Sequence, residues 1–356
     1  MRRVLTAIGI LALLQSATAA PPPANAPWPE AAQRWIKTYR TKPEPMAVAA
    51  VIKGLSQRGA LKEPESAGLY AGFFAGVLGA NPKHAWAIVE KTLPLPFEDQ
   101  WIVVRALAYS GLPSWKDHMR GLAMRLPERQ VMVERYLTGD LPPLSEVKLE
   151  PEKPGTFDKV KRFFNGDMFF AKDEPPKRQV TFASNAELID TLWGIYFATG
   201  KEAPIARIVE LLPWARERDS VEKLTIGSMA RFTLASNAAR DVDLLRVLKR
   251  MKDSLPDEKD GEKNAVKLVL TEVVEAAELS DTARFGKDAL AALDDLKRKG
   301  PGSTRDLLTW GSVGQAAVSM GCLGLAVAGQ VEAGIPCVLG GALGSGALRY
   351  IGGSSN

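Results

Sequence analysis

Between residues 30 and 139 apolar positions recur three and four apart, in short runs broken by glycine and proline. That spacing lays one apolar stripe along a helix. Pro29 suits the first position of a helix, and Glu30 favours its positive end. Residues 46–52 supply the apolar face of a second helix, which ends by residues 54–59. Residues 66–78, rich in Ala, Gly and aromatics, predict a third, closed by Gly79-Ala80-Asn81-Pro82. Pro82 opens a fourth, with Ala85, Trp86, Ile88 and Val89 apolar, and Leu93-Pro94-Leu95-Pro96 ends it. Residues 97–110 predict a fifth, with Glu98 and Asp99 in its first turn. After Gly111-Leu112-Pro113, Ser114 caps a helix through Met124, and Pro127 introduces one more that stops at Gly139. Short helices joined by Gly/Pro breaks are the pattern of stacked helical hairpins.

Residues 140–183 differ: Pro142, Pro143, Pro151, Pro154, Pro175 and Pro176 stand among charges. We read them as a connector, with a short amphipathic helix at 157–164 and a strand or extended chain at 179–182. The helical pattern resumes over 184–300. Ser184 and Asn185 cap a helix through Thr199, and residues 205–212 follow. Residues 219–222 start a helix to Ala235. In 241–251 the apolar Leu244, Leu245, Val247, Leu248 and Met251 oppose Asp243, Arg246, Lys249 and Arg250. Residues 264–279 and 281–297 form a last pair. The expected fold is all-α: two lobes of stacked helical hairpins, 30–139 and 184–300, then a Gly-rich apolar C-terminal hairpin in 303–356.

The lobes resemble each other internally. Gly72-Phe73-Phe74-Ala75-Gly76 precedes Ala87-Ile88-Val89-Glu90 and Leu93-Pro94; Gly194-Ile195-Tyr196-Phe197-Ala198 precedes Arg207-Ile208-Val209-Glu210 and Leu212-Pro213. Duplication and coincidence among Ala/Gly/Leu-rich helices both account for this. The run from Leu192 to Gly200, followed by Ile205 and Arg207-Ile208-Val209, resembles a segment of secreted bacterial helical-repeat proteins of unknown function. In architecture it is similar to tetratricopeptide-like hairpin arrays, although the W-x-x-L-G-x-x-Y signature is absent as such. The resemblance covers about 30 residues, implies a helical-hairpin body and carries no catalytic residue.

Both ends behave unlike the body. Residues 1–19 have the parts of a secretory signal: Arg2 and Arg3, an apolar run over 4–14, and an A-x-A site before Ala20. Residues 20–29 are a stiff Pro/Ala linker. At the other end, 307–331 is free of charge, Glu332 interrupts, and 333–348 is uncharged again. The first run is long enough to span a bilayer and the second is too short alone. With a turn near residues 329–334, the two form an antiparallel hairpin whose small residues, Gly321, Gly324, Gly340 and Gly344 among them, allow close approach. In it the chain's two cysteines, Cys322 and Cys337, lie at comparable heights, so a disulfide is sterically reasonable. Three readings stay open for this tail: a membrane hairpin over 307–348, a buried packing element, and an oligomerising or pore-forming segment.

Charge excludes little but directs the search. Loss of residues 1–19 lowers the formal net charge from +5 to +3, 44 basic against 41 acidic groups. That near balance, with export, argues against a nucleic-acid partner. His84 and His118 have no metal-ligand neighbour at helical spacing. Gly261 in the acidic turn would put Pro256 and Lys267 at calcium-ligand positions, which fails. Leu343-Gly344-Ser345-Gly346 lacks the frame of a nucleophile elbow. Carboxylate pairs such as Asp241/Asp243 and Asp294/Asp295 are too common on helices to nominate. Trp86, Trp101, Trp193 and Trp214 read as core anchors. No catalytic residue, cofactor or metal is expected. The expected role is an exported envelope scaffold with a protein or peptide partner; the alternative is a secreted hydrolase or a toxin-like, pore-forming effector.

Overall fold

The structure, a computed structural model, describes residues 30–147, 186–218, 220–256 and 262–280, and positions 285, 288, 291 and 295. The signal segment, the linker, most of the connector and the whole tail lie outside the described residues. So do Cys322, Cys337, Gly321, Gly324, Gly340 and Gly344, and the short helix and strand expected in the connector.

The described chain is all-helical, with twelve α-helices and no strand among the described residues. The first stretch holds α1 (Glu30–Thr38), α2 (Val48–Gln57), α3 (Gly68–Ala80), α4 (Ala85–Thr92), α5 (Trp101–Tyr109), α6 (Trp115–Ala123) and α7 (Gln130–Thr138). The second holds α8 (Ala186–Thr199), α9 (Ala203–Val209), α10 (Val221–Ala238), α11 (Val242–Ser254) and α12 (Glu262–Glu278). The breaks fall where glycine and proline place them. Gly59, Gly111, Gly139 and Gly200 all take positive φ, from 66° to 85°, which only glycine adopts without strain.

The centre of the molecule is the pair α3 and α8. Helix α3 (GLYAGFFAGVLGA) is apolar on every side and buried from Gly68 to Leu78, as such a helix must be. Its glycines set how near α8 can come. A Cβ on Gly68 would lie 2.5 Å from the Glu187 carbonyl oxygen, and one on Gly72 would lie 2.0 Å from that of Thr191. One on Gly76 would lie 3.1 Å from Ile195 Cα. The register advances in the same direction along both helices, so the two run parallel. From the other side, a Cβ on Gly194 would meet the Leu69 oxygen at 2.3 Å. Backbone therefore lies on backbone, an approach only residues without a Cβ permit.

The two internally similar runs thus pack on each other. Gly72 and Gly194 are 122 positions apart, as are Leu69 and Thr191. Gly72 faces Thr191 while Gly194 faces Leu69, so equivalent positions exchange equivalent contacts. This is the geometry of a parallel, small-residue helix dimer, formed within one chain.

A single hydrophobic cluster runs through both stretches, from Ala32 to Phe285. Trp101 and Trp193 are fully buried in it, while Trp86 and Trp214 are half-buried at its edge. The Trp101 indole donates to the Leu61 carbonyl at 3.1 Å, so its polar atom is satisfied. Helix α11 follows its amphipathic pattern, with Leu244, Val247 and Leu248 buried. One expected cap differs in detail. Ser114 stands before α6, but its hydroxyl meets the His118 ring at 3.2 Å rather than a backbone amide. The side-chain caps form at Ser220 for α10 and Asp241 for α11.

Candidate functional site

Four arginines, two of them inside apolar helical runs, are each held over an aromatic ring. Arg105 lies over Trp101 at 4.6 Å, Arg40 over Tyr196 at 4.5 Å, Arg129 over Phe97 at 4.1 Å and Arg231 over Phe285 at 4.2 Å. A planar guanidinium stacks on a ring while its edge still donates, which is why arginine rather than lysine fills such positions.

Of these arginines, Arg105 and Arg129 are buried and Arg40 is half-buried. Arg105 on α5 is fully buried and pairs with Glu187 at the start of α8. Tyr109 and Tyr136 stand edge-to-face nearby, 6.4 Å between centroids. Burial pushes the Tyr109 hydroxyl well above its ordinary pKa, so it stays a neutral donor. Arg40 pairs with Asp241, whose same oxygen accepts from the Tyr196 hydroxyl at 3.1 Å. The other Asp241 oxygen accepts from the amides of Asp243 and Leu244 at 3.1 Å. Asp241 therefore caps α11 and ties it to α8 and to the 3-10 turn Tyr39–Thr41 that follows α1; it is a structural carboxylate. The Ser56 hydroxyl donates to Asp99 at 2.5 Å, and burial raises the Asp99 pKa. These clusters lock helices together.

The histidines are placed apart in role. His84 is exposed just ahead of α4. His118 is half-buried and stacks on Trp86, with 5.6 Å between centroids and planes 11° apart. Arg125 lies over Trp86 at 5.4 Å and pairs with Glu90 at 2.6 Å. Among the described residues no three His, Cys, Asp or Glu side chains gather as metal ligands.

The fourth arginine opens on a hollow. After α9 the chain makes a 3-10 turn, Leu212–Arg216, that lies flat on α10. Gly227 allows this: a Cβ there would meet the Ala215 nitrogen at 2.1 Å. On α10, Leu224, Ser228 and Arg231 share the face around Gly227, following the helical spacing of three and four. The turn brings Arg216, and Arg218 just after it, beside that face. Together with Asp288 they line a half-open, mainly polar hollow of about 510 Å³.

Its electrostatics are lopsided. Glu272 on α12 serves both Arg216 and Arg231, the latter at 3.3 Å, and Asp288 reaches Arg231 at 3.4 Å. Two carboxylates thus face three guanidinium groups. Arg231 is only 8% exposed, and its buried Nε has no hydrogen-bond partner among the described residues. Burial first, with a smaller contribution from Arg216, lowers the Arg231 pKa more than Glu272 and Asp288 raise it.

No family model, curated protein or solved structure matches this chain. The hollow therefore has to be read from its own chemistry.

Sequence reasoning passed over these arginines, because it weighed histidines, carboxylate pairs and glycine-rich turns instead. The available signal was a charged residue embedded in an apolar helical run, Arg231 in SMARFTLA and Arg105 in WIVVRALAY. A cation there must find partners or perturb the core. What the sequence does not contain is which acids, from α8, α12 or beyond, come to meet it.

Proposed function

We propose that the chain is an exported, non-catalytic binding protein of the periplasm or cell envelope, attached to the membrane by its apolar C-terminal run 307–348. The observation that carries the reading is the arginine-lined hollow on α10. Arginine stays protonated throughout the physiological range, so a site built from it holds anionic partners and does not shuttle protons. The backbone-to-backbone packing of α3 and α8 supports the same reading, since it makes a rigid body on which a site can be presented. The signal-like residues 1–19 support export. No helix among the described residues is long and apolar enough to cross a membrane, so attachment is assigned to the uncharged tail. The likeness to secreted helical-repeat proteins is in keeping with a scaffold of this kind.

Fractionation tests the reading. Full-length protein should accumulate outside the cytoplasm, lose residues 1–19, and stay with membranes through an alkaline carbonate wash. A chain ending at Gly300 should be released by the same wash. Release of both forms sinks the attachment, and retention of residues 1–19 in a cytoplasmic pool sinks export.

A further inference from the structure

The hollow beside α10 also indicates what class of ligand it takes. We infer that it is a binding site for a small anionic solute, recognised through a carboxylate or phosphate group held between Arg231 at its floor and Arg216 and Arg218 at its rim. This deepens the binding-protein reading and rests on it.

Arg231 is the deepest of the three, and its Nε–H is wholly buried, like those of Arg40, Arg105 and Arg129, so it is not the atom a ligand meets. Its other two nitrogens reach Glu272 and Asp288 only at 3.3 and 3.4 Å, which leaves these contacts weak. Arg218 is exposed, and its described polar contacts go to its neighbour Glu217: the amide to the carboxylate at 3.0 Å and a guanidinium nitrogen to the carbonyl at 2.8 Å. Lys223 and Glu217 lie 3.6 Å apart, so that nearby pair adds no net charge. The excess at the hollow is one positive charge among the described side chains, the complement of one anionic group. Ser228 adds a hydroxyl to the lining, and Leu224 and Ala215 add an apolar wall for the ligand's carbon skeleton. A volume of about 510 Å³ holds a solute of the size of citrate.

The test is isothermal titration calorimetry on the mature protein with inorganic phosphate in one arm and citrate in the other. Sodium chloride at matched ionic strength is the control, since screening alone acts on all exposed pairs. Saturable binding of phosphate or citrate beyond the chloride control is expected, and the stronger arm tells which oxyanion the site prefers. Arg218→Gln, an exposed change that leaves the core untouched, should weaken it about tenfold, the effect of one charge-assisted hydrogen bond. Arg231→Lys keeps the charge and removes the planar fork of terminal nitrogens, and should weaken it at least as much. If Arg231→Lys does not fold, Arg218→Gln decides alone. Binding no greater than chloride's, or binding undiminished in Arg218→Gln, overturns the site and leaves the fractionation result standing. If titration with a phosphate ester releases inorganic phosphate, the non-catalytic reading falls while the anion site survives.

Discussion

Gly72→Ala tests the central packing with one methyl group. The new Cβ would lie 2.0 Å from the Thr191 oxygen, 2.7 Å from its carbonyl carbon and 2.8 Å from its Cα. All three atoms are backbone, so no side chain can swing aside. The helices must part by about 1.4 Å before the contact becomes ordinary, and a gap beyond about 1 Å forfeits at least roughly half of each neighbouring dispersion well. Overpacking of this kind costs about 1–3 kcal/mol, more where backbone has to move. Alanine's better helix propensity returns about 1 kcal/mol. We expect a net loss of about 2 kcal/mol. With a urea slope of about 2 kcal/mol per molar, the unfolding midpoint followed by helix ellipticity falls by about 1 M.

Two companions make the reasoning specific. Gly121→Ala on α6 meets only the far edge of the Trp86 ring, at 3.2 Å, and that half-buried ring can yield. The same substitution there should be neutral or stabilising. Gly194→Ala strikes the same crossing from the other helix, 2.3 Å from the Leu69 oxygen and 2.4 Å from the Phe73 nitrogen. Once the first methyl has parted the helices the second finds room, so the double variant should lose less than the sum of the singles. A Gly72→Ala protein as stable as wild type, or stability losses that simply add, would refute the close parallel crossing.

Other consequences can be measured in the same unfolding experiment. Glu187→Gln leaves the fully buried Arg105 charge without its carboxylate and should cost about 3–5 kcal/mol. Asp243→Asn, which only breaks an exposed pair with Arg246, should cost no more than about 0.5 kcal/mol; equal losses would show that Arg105 is not buried as described. Lys37 has its pKa lowered from 10.5 to about 8, first by burial and then by Arg240. Because the folded state holds that proton less tightly than the unfolded chain, the penalty is full below about pH 8 and fades as pH rises towards 10.5. Lys37→Met should therefore be more stable than wild type at pH 7, by about 1–2 kcal/mol after allowance for the partial exposure of the side chain. The advantage should shrink between pH 8 and 10. An advantage that stays constant across that range would rule out titration of Lys37 as its cause. Tyr39, raised to about 12 mainly by burial, destabilises both proteins alike above pH 10 and so cancels in the difference.

Much of the helical layout was legible because its causes are local. Gly139 ends α7 at φ 85° and Gly200 ends α8 at φ 66°, where the sequence alone put both stops. Leu244, Val247 and Leu248 are buried, the stripe their spacing declares. Trp101 and Trp193 are core anchors as expected. The glycines of α3 were harder to interpret. Gly68, Gly72 and Gly76 weaken an isolated helix, and nothing near them in the chain says why they are tolerated. The reason is α8, more than a hundred residues later.

The hollow was the least legible part. Its builder is Gly227, whose missing side chain admits the Ala215 backbone, and its floor is Arg231, whose partners come from Glu272 and Asp288. None of these is marked by local spacing.

By itself, then, the sequence determined what is set within a few residues: helix starts and stops, apolar faces, an exported N-terminus as an expectation, and an uncharged tail. Tertiary structure alone decided which glycines touch which backbone, which acids meet Arg105 and Arg231, and where an open cationic face remains. Periodicity is written along the chain, whereas close approach and charge pairing depend on distances between segments that only folding brings together.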